Sequence, residues 1–373
     1  MSRGAAGRPL RPVAGALAAL SLLALPGCQT AQRQARREST ERWNRVRAEV
    51  KAKLAADQLA AGHVDDAAAE LTEALRLDAA NPQLLLLQAR LYLAQGNLSA
   101  AERLLTSARQ AGADPGEIEY LLGTIAEQRL QWDEALNHFV RAVNEDPAEI
   151  TYLAAVVQNM LQFGEAAEAL RLLRSYEDEL GWTSAYQAAV AECCEQLGDW
   201  SGAAAAWQRV ANGSDPPAVQ ERLGMALYRA GRWGEAIPYL EQVLARPASE
   251  PSAALRLALA DCLLEQGRTA AAREQLSLVL RDEPRNLPAL QRLARLFAQQ
   301  GQLDRARRTA EHLLRLAPHD PSALELAAGL ALRSGDHRRA LALAHRLRQE
   351  SPNFDSPVAD EIIARLEQPP DGQ

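Results

Sequence analysis

The sequence predicts an all-α protein built as a stack of about nine helical hairpins. The first observation is an alanine that returns every 34 residues, apart from one step of 33 and one of 36. The second is a glycine five residues before eight of these nine alanines. The third is composition: 47% of the 373 residues are hydrophobic but only 5% are aromatic, and the apolar content is chiefly Ala and Leu, which are strong helix formers. Such a period is typical of stacked repeats that contact only their neighbours.

The alanines and the glycines therefore recur together, at a fixed distance from each other in eight of the nine repeats. The recurring alanines are Ala67, Ala101, Ala135, Ala169, Ala203, Ala236, Ala272, Ala306 and Ala340. The preceding glycines are Gly62, Gly96, Gly164, Gly198, Gly231, Gly267, Gly301 and Gly335. Leu130 takes the glycine's place in the remaining repeat.

The amino-terminal residues are typical of an export signal. Three arginines precede an apolar run over residues 13–25, which is too short to cross a bilayer as a helix. The run ends in Leu25-Pro26-Gly27-Cys28, which resembles the lipobox of bacterial lipoproteins. The resemblance implies a lipoprotein signal peptide over 1–27 and lipidation of Cys28, whereas the alternative is an ordinary secretory signal. If the cell has two membranes, Gln29 after the cysteine favours the outer membrane, by analogy with lipoprotein sorting.

Residues 28–47 form a basic polar segment between the signal and the first repeat. From residue 29 onward it contains six arginines and two glutamates. We expect a solvated tether, whose positive charge can rest on anionic lipid headgroups.

Each predicted repeat contains two amphipathic helices joined at the glycine. In the third repeat, Trp132 begins the second helix, Ala135 lets the paired helices approach, and Phe139 and Ala142 continue the buried stripe up to the stop at Pro147. The nine repeats are predicted at residues 48–81, 82–115, 116–149, 150–183, 184–216, 217–252, 253–286, 287–320 and 321–354.

This pattern resembles the tetratricopeptide repeat, whose signature runs L-G-x2-Y, then A-x3-F, then P. Leu122-Gly123 matches the first part, Ala135 with Phe139 the second and Pro147 the last, although five of the nine repeats lack the final proline. The resemblance covers residues 48–354. It implies a right-handed superhelical solenoid whose first helices line a concave groove.

Residues 355–373 are expected to close the repeats. Val358, Ile362, Ile363 and Leu366 are spaced as one apolar stripe of a helix, which can cover the exposed face of the ninth repeat. A capping helix followed by a short disordered tail is therefore predicted.

The resemblance also implies which side chains face the groove, namely positions 2, 5, 6, 9, 12 and 13 of each repeat. Their mixed charge and aromatic content suits an extended peptide or a partner helix, and a solvated surface is the alternative for each of them. The expected groove residues are Tyr120, Glu127, Gln158, Glu192, Glu195, Glu221, Arg222, Met225, Tyr228, Arg229, Arg292 and Arg295. No repeat carries the Lys and Asn pair by which related repeats bind chaperone tails.

The sequence offers no converging catalytic groups. Its six histidines lack a paired metal-ligand spacing, and its glycines recur at hairpin turns instead of in a phosphate-binding loop after a strand. Cys193, Cys194 and Cys262 fall at positions that hold apolar residues in other repeats, so they are interpreted as small buried hydrophobes. We therefore expect no enzyme activity, no cofactor and no metal.

Charge is distributed unevenly along the chain. Between Asp114 and Asp199 there are 17 acidic residues and four arginines, whereas between Arg285 and Arg348 there are 12 arginines and five acidic residues. Such separation can orient a charged partner, although arginines that solubilise helices explain the basic end equally well. An exported lipoprotein rarely meets nucleic acid, so no nucleic-acid partner is expected.

These features favour a membrane-anchored, non-enzymatic scaffold in the cell envelope. It would hold protein partners in its groove, in the assembly of outer-membrane, pilus or secretion complexes. The alternative is a glycan- or cell-wall-associated accessory protein in polysaccharide export or peptidoglycan metabolism. For that alternative, Trp132, Trp200 and Trp233, which share one position of their second helices, are the candidate contacts. The sequence leaves the oligomeric state open.

Overall fold

The computed structural model describes residues 26–213, 217–246 and 252–367, and within these ranges it contains 20 helices and no strand. The prediction of an all-α fold is confirmed. The helices are α1 (Pro26–Ala60), α2 (Val64–Leu77), α3 (Pro82–Ala94), α4 (Leu98–Gln110), α5 (Pro115–Gln128), α6 (Trp132–Glu145), α7 (Ile150–Gln162), α8 (Ala166–Arg174), α9 (Glu177–Leu180), α10 (Ser184–Gln196), α11 (Trp200–Gly213), α12 (Pro217–Arg229), α13 (Trp233–Leu244), α14 (Ala253–Glu265), α15 (Thr269–Asp282), α16 (Leu287–Gln299), α17 (Leu303–Leu316), α18 (Pro321–Arg333), α19 (His337–Glu350) and α20 (Pro357–Glu367).

The chain divides into two compact units at residues 159 and 160. In the first unit α1 packs with α2, α3 with α4 and α5 with α6, each as a hairpin. In the second unit α10 packs with α11, and the same pairing continues through α18 and α19. The recurring alanines are all buried, so the two helices of a hairpin approach closely at these positions.

The predicted signal peptide lies outside the described residues, apart from Pro26 and Gly27 at the start of α1. Only the backbone of Cys28 is described, as part of the same helix. Helix α1 continues from there to Ala60 without a break, so the residues predicted as a tether are helical. No proline or glycine interrupts residues 28–60, and the helix is held by the packing of its later residues against α2. None of the described helices combines the length and apolar character of a membrane span.

The fourth repeat departs from the expected pair of helices. Its second helix, α8, has only nine residues and is followed by the four-residue helix α9. At its end, the Ser175 N–H and the Ser175 hydroxyl both donate to the Leu172 carbonyl, at 3.0 and 2.6 Å. A serine that hydrogen-bonds to the preceding turn competes with helix continuation, which accounts for the early stop.

The phased glycines end the first helices. All eight have a left-handed backbone, with φ between 70° and 81°. At Gly96 the following N–H, that of Asn97, reaches back to the Tyr92 carbonyl at 2.8 Å, which is the hydrogen bond of a Schellman cap. Leu130 makes the same turn with φ at 61°, and the Gln131 N–H donates to the Ala126 carbonyl at 2.9 Å. It is the one non-glycine residue with positive φ among the described residues.

We expect Leu130→Gly to be more stable than Leu130→Ala by about 1 kcal/mol, because only glycine adopts a left-handed backbone without strain. Leu130 is exposed, so neither substitution removes buried apolar surface. Urea denaturation followed by circular dichroism measures the difference. Equal stability of the two variants would show that the turn carries no backbone strain.

Helix α20 covers the end of the last hairpin. Ile362 and Ala359 are fully buried in a cluster with Leu324 and Leu347 of α18 and α19. The Ser356 hydroxyl caps the helix by accepting from the Ala359 N–H at 3.2 Å. Of the four predicted stripe residues, Ile363 and Leu366 are partly buried and Val358 stays exposed. The predicted tail lies outside the described residues, which end at Glu367.

Candidate binding surface on the first helices

Two polar networks join neighbouring first helices of the second unit. In the first network, the Arg222 guanidinium of α12 donates to Glu192 at 2.5 Å and to Glu195 at 2.7 Å, both on α10. The guanidinium also lies over the Trp207 ring, 4.6 Å from its centroid, and the Trp207 indole donates to Glu195 at 2.6 Å. Burial opposes the charge of Arg222, but these carboxylates raise its pKa above the ordinary value. The Arg222 charge is thus compensated within the protein.

The second network spans three repeats. Asp261 of α14 accepts two hydrogen bonds from the Arg292 guanidinium of α16, at 2.6 and 2.8 Å, in a bidentate arrangement. Its Oδ2 also accepts from the Tyr228 hydroxyl of α12 at 2.9 Å. Burial and the bond to Asp261 raise the pKa of Tyr228, so the hydroxyl keeps its proton and continues to donate. We call the side of α10, α12, α14 and α16 that carries both networks the first-helix face.

Five of the predicted groove residues are brought together in these networks, and the other four in the second unit differ in their surroundings. Glu221 and Arg295 are exposed, and the described part of the chain gives neither of them an ion pair. Arg229 is exposed and lies over the Trp200 ring, 4.7 Å from its centroid. Met225 is half-buried against the core.

Three of the predicted groove residues lie in the first unit. Tyr120 is half-buried between the rings of Phe139 and Tyr152, with centroid distances of 5.8 and 5.4 Å, and burial raises its pKa. Glu127 is half-buried and Gln158 is exposed. Tyr120 therefore contributes to packing between helices more than to a free surface.

Two members of these networks, Asp261 and Trp207, are not among the predicted groove residues. Asp261 occupies position 9 of the seventh repeat, the position that Glu192 occupies in the fifth, so the repeat register contained the signal. Trp207 lies on the second helix α11, and its indole N–H joins the network by donating to Glu195. Position rules for the first helix give no indication of such a residue.

An open cavity of about 460 Å³ lies beside the first-helix face, next to the hairpin turn of the sixth repeat. Trp200, Trp233 and Tyr228 supply aromatic walls, and Arg229 and Gly231 complete the lining. The cavity brings together two of the three tryptophans that the sequence singled out. Its aromatic rings and one cation can contact an apolar or a ring-shaped ligand.

The cysteines of the second unit are buried away from water. Burial raises the pKa of Cys193 and of Cys262 to about 12 each, and it also raises the pKa of Cys194. A thiol is nucleophilic only as the thiolate. Within the described residues, no group of three or more His, Cys, Asp or Glu side chains is placed to hold a metal ion.

In a Cys28→Ala background, we therefore expect no reaction of the native protein with a thiol reagent such as DTNB at pH 8. Three thiols should react once the protein is unfolded in guanidinium chloride. Rapid reaction of one thiol in the folded protein would contradict the burial of these side chains.

Comparison with known proteins identifies the repeat. The family model described as tetratricopeptide repeat matches residues 58–125, 227–296 and 276–330. The C-terminal part of a TPR repeat-containing protein from Cytophaga hutchinsonii has a similar structure, with a TM-score of 0.51 and 16% identity over 65% of this chain and 98% of that one. No curated protein matches the sequence.

Two further solved structures are similar with lower scores. YrrB, a TPR protein with an unusual peptide-binding site, has a TM-score of 0.46 and 16% identity over 50% of this chain and 95% of that one. PilW, a type IV pilus biogenesis factor, has a TM-score of 0.48 and 18% identity over 57% of this chain and 98% of that one. The matched segments, the stacked hairpins and the phased glycine turns together identify tetratricopeptide repeats in this chain, at residues 58–125 and 227–330.

Proposed function

We propose that the chain is a membrane-anchored, non-enzymatic scaffold that binds protein partners in the cell envelope through the first-helix face. The observation that carries the proposal is the pair of cross-repeat networks, centred on Arg222 and on Asp261. They hold α10, α12, α14 and α16 in fixed relation through ionic hydrogen bonds. A surface that is ordered before binding loses less entropy when a partner docks.

The residues that remain available on this face define the partner's chemistry. Glu221, Arg229 and Arg295 are exposed and charged, and half-buried Met225 lies one helical turn from both Glu221 and Arg229 on α12. Because Glu192, Glu195, Arg222 and Arg292 are already paired, their charges are compensated inside the protein. An extended peptide or a helix of mixed charge fits this pattern.

The test swaps the charges of two exposed residues on a first helix and, as a control, of two exposed residues on a second helix. Tagged full-length protein is purified from detergent-solubilised membranes, and its partners are identified by mass spectrometry. Glu221→Arg with Arg229→Glu should remove the partners. Arg273→Glu with Glu274→Arg is the matched control, since these residues are exposed on the second helix α15. The same partners from both variants and the wild type would overturn the proposal.

The anchor is proposed from the lipobox and is tested separately. Cys28→Ala should leave a protein that high salt washes off membranes, whereas the wild type should resist the wash. Release of the wild type by the same high-salt wash would argue against lipidation. Placement in the outer membrane, facing the periplasm, and a role in pilus or secretion complexes belong to the same proposal.

A glycan-binding role is the second candidate, and the aromatic cavity at Trp200 and Trp233 favours it. Titration with isolated cell-wall fragments should then change tryptophan fluorescence. Loss of the change in Trp233→Ala, with no loss in Trp182→Ala, would assign the response to the cavity, because Trp182 is exposed elsewhere in the second unit. An unchanged spectrum would remove this candidate.

A further inference from the structure

Helix α1 carries an apolar stripe that no other part of the described chain covers. Trp43, Val46, Val50 and Leu54 expose 62%, 46%, 66% and 43% of their surface. Their spacing of three, four and four residues places them on one side of the helix. Four large apolar side chains in a row on an exposed side form a patch that is typical of an interaction surface.

The stripe cannot turn inward, because the opposite side of α1 is already packed. Ala48 and Ala55 are buried, and Ala52 and Leu59 are partly buried, in a cluster with α2 and α3. Lys51 adds an ion pair to Glu70 of α2 at 2.8 Å. These contacts fix the rotation of α1 about its own axis.

Positive charge borders the stripe. Arg36 precedes Trp43 by seven residues, Arg47 follows it by four, and Lys53 follows Val50 by three, so these cations lie along or beside the apolar row. Glu41 precedes Trp43 by two residues and therefore lies on the other side. Within residues 33–54, seven exposed cations have no ion pair to another described residue: Arg33, Arg36, Arg37, Arg42, Arg45, Arg47 and Lys53.

We propose that residues 33–54 of α1 are a membrane-binding helix that lies on an anionic lipid surface. Trp43, Val46, Val50 and Leu54 enter the boundary between headgroups and acyl chains, as the apolar side of an interfacial helix does. Arg36, Arg47 and Lys53 extend outward to the headgroup phosphates, since their stems can follow the apolar row while their charges stay in the polar layer.

The distribution of charge favours a lipid surface over a second copy of the chain. Pairing two α1 helices through their stripes would bring Arg36, Arg47 and Lys53 of the two copies together and leave Glu41 on the far side of each helix. Like charges in such close proximity weaken the contact. An anionic bilayer presents acyl chains for the apolar stripe and negatively charged headgroups for the cations on the same surface.

The proposal is independent of lipid on Cys28, because the stripe and its cations belong to the protein itself. It extends the proposed anchoring by assigning a second membrane contact about 15 residues along the helix. The test therefore uses the protein without the predicted signal peptide, residues 28–373, with Cys28→Ala. Failure of lipidation and failure of this inference are then distinguishable.

The experiment is flotation with vesicles of phosphatidylcholine alone or with 30% phosphatidylglycerol. We expect at least tenfold stronger partitioning into the anionic vesicles, and a severalfold decrease when salt is raised from 0.1 to 0.5 M. Trp43→Ser with Val50→Ser should reduce partitioning at least tenfold. The matched control is Val140→Ser with Leu197→Ser, which removes two exposed apolar side chains outside α1 and should leave partitioning unchanged.

Three outcomes would overturn the proposal. The stripe variant and its control could bind equally well, or partitioning could be the same for both lipid compositions. Sedimentation velocity without vesicles could also show that the wild type is a dimer and the stripe variant a monomer, which would assign the stripe to a second copy. Unchanged circular dichroism and melting temperature verify that each variant is folded.

Discussion

Gly123→Ala is expected to lower the free energy of unfolding by about 2–3 kcal/mol, the upper range for overpacking a core. A Cβ atom at residue 123 of α5 would lie 2.5 Å from Cε1 and 2.6 Å from Cδ1 of Phe139 on α6. Both of these carbons belong to a fully buried ring, which cannot move aside as an exposed chain end can. Urea denaturation measures the loss, and hydrogen exchange of α5 and α6 locates it.

The chain provides its own control for this prediction. At the equivalent positions of the second and seventh repeats, Ala89 faces Leu105 and Ala260 faces Leu276, and all four are buried. In a Phe139→Leu background, Gly123→Ala should therefore cost less than about 1 kcal/mol. An equal cost in both backgrounds would show that the Phe139 ring is not the obstacle.

Ile362→Asp is expected to destabilise the last hairpin by about 3 kcal/mol or more. Ile362 is fully buried against α18 and α19, and none of the apolar neighbours in its cluster can pair with a carboxylate. Ala364→Asp is the matched control, because residue 364 is exposed on the same helix α20. Hydrogen exchange followed by mass spectrometry resolves where protection is lost.

The position of the loss is as informative as its size. In a repeat protein each unit is stabilised by its neighbours, so damage at the cap should spread only a short distance. Amides of α18 and α19 should exchange faster in Ile362→Asp, while those of α10 and α12 keep their protection. Uniform loss of protection throughout the second unit would contradict this local effect, and no loss at all would show that α20 does not serve as a cap.

The fold class could be predicted from the sequence because one structural unit is repeated. Small alanines recur where paired helices touch, and glycines recur where a left-handed turn ends the first helix. Leu130 breaks the glycine pattern but adopts the same turn, so the hairpin is imposed by its neighbours even where the local residue disfavours it. The early end of α8, which α9 follows, depends on hydrogen bonds of Ser175, and the repeat pattern does not predict these hydrogen bonds.

The candidate site could be predicted only in part. The repeat register indicates which residues share a side of the first helices, and the structure does join Arg222 with Glu192 and Glu195. The register does not indicate that these charges pair with one another, because pairing depends on the rotation between neighbouring repeats. Asp261 could have been predicted from its position in the repeat. Trp207 could not, because it lies on a second helix and the position rules concern only the first helices.

The central claim is that the first-helix face, and not the outer surface of the second helices, contacts a protein partner. Photo-crosslinking in living cells tests it most directly, with benzoylphenylalanine placed at residue 221 on α12 or at residue 274 on α15. We predict a discrete adduct with another protein from residue 221 and none from residue 274. Adducts from residue 274 alone, or none from residue 221 and from the neighbouring positions 225 and 229, would contradict the account.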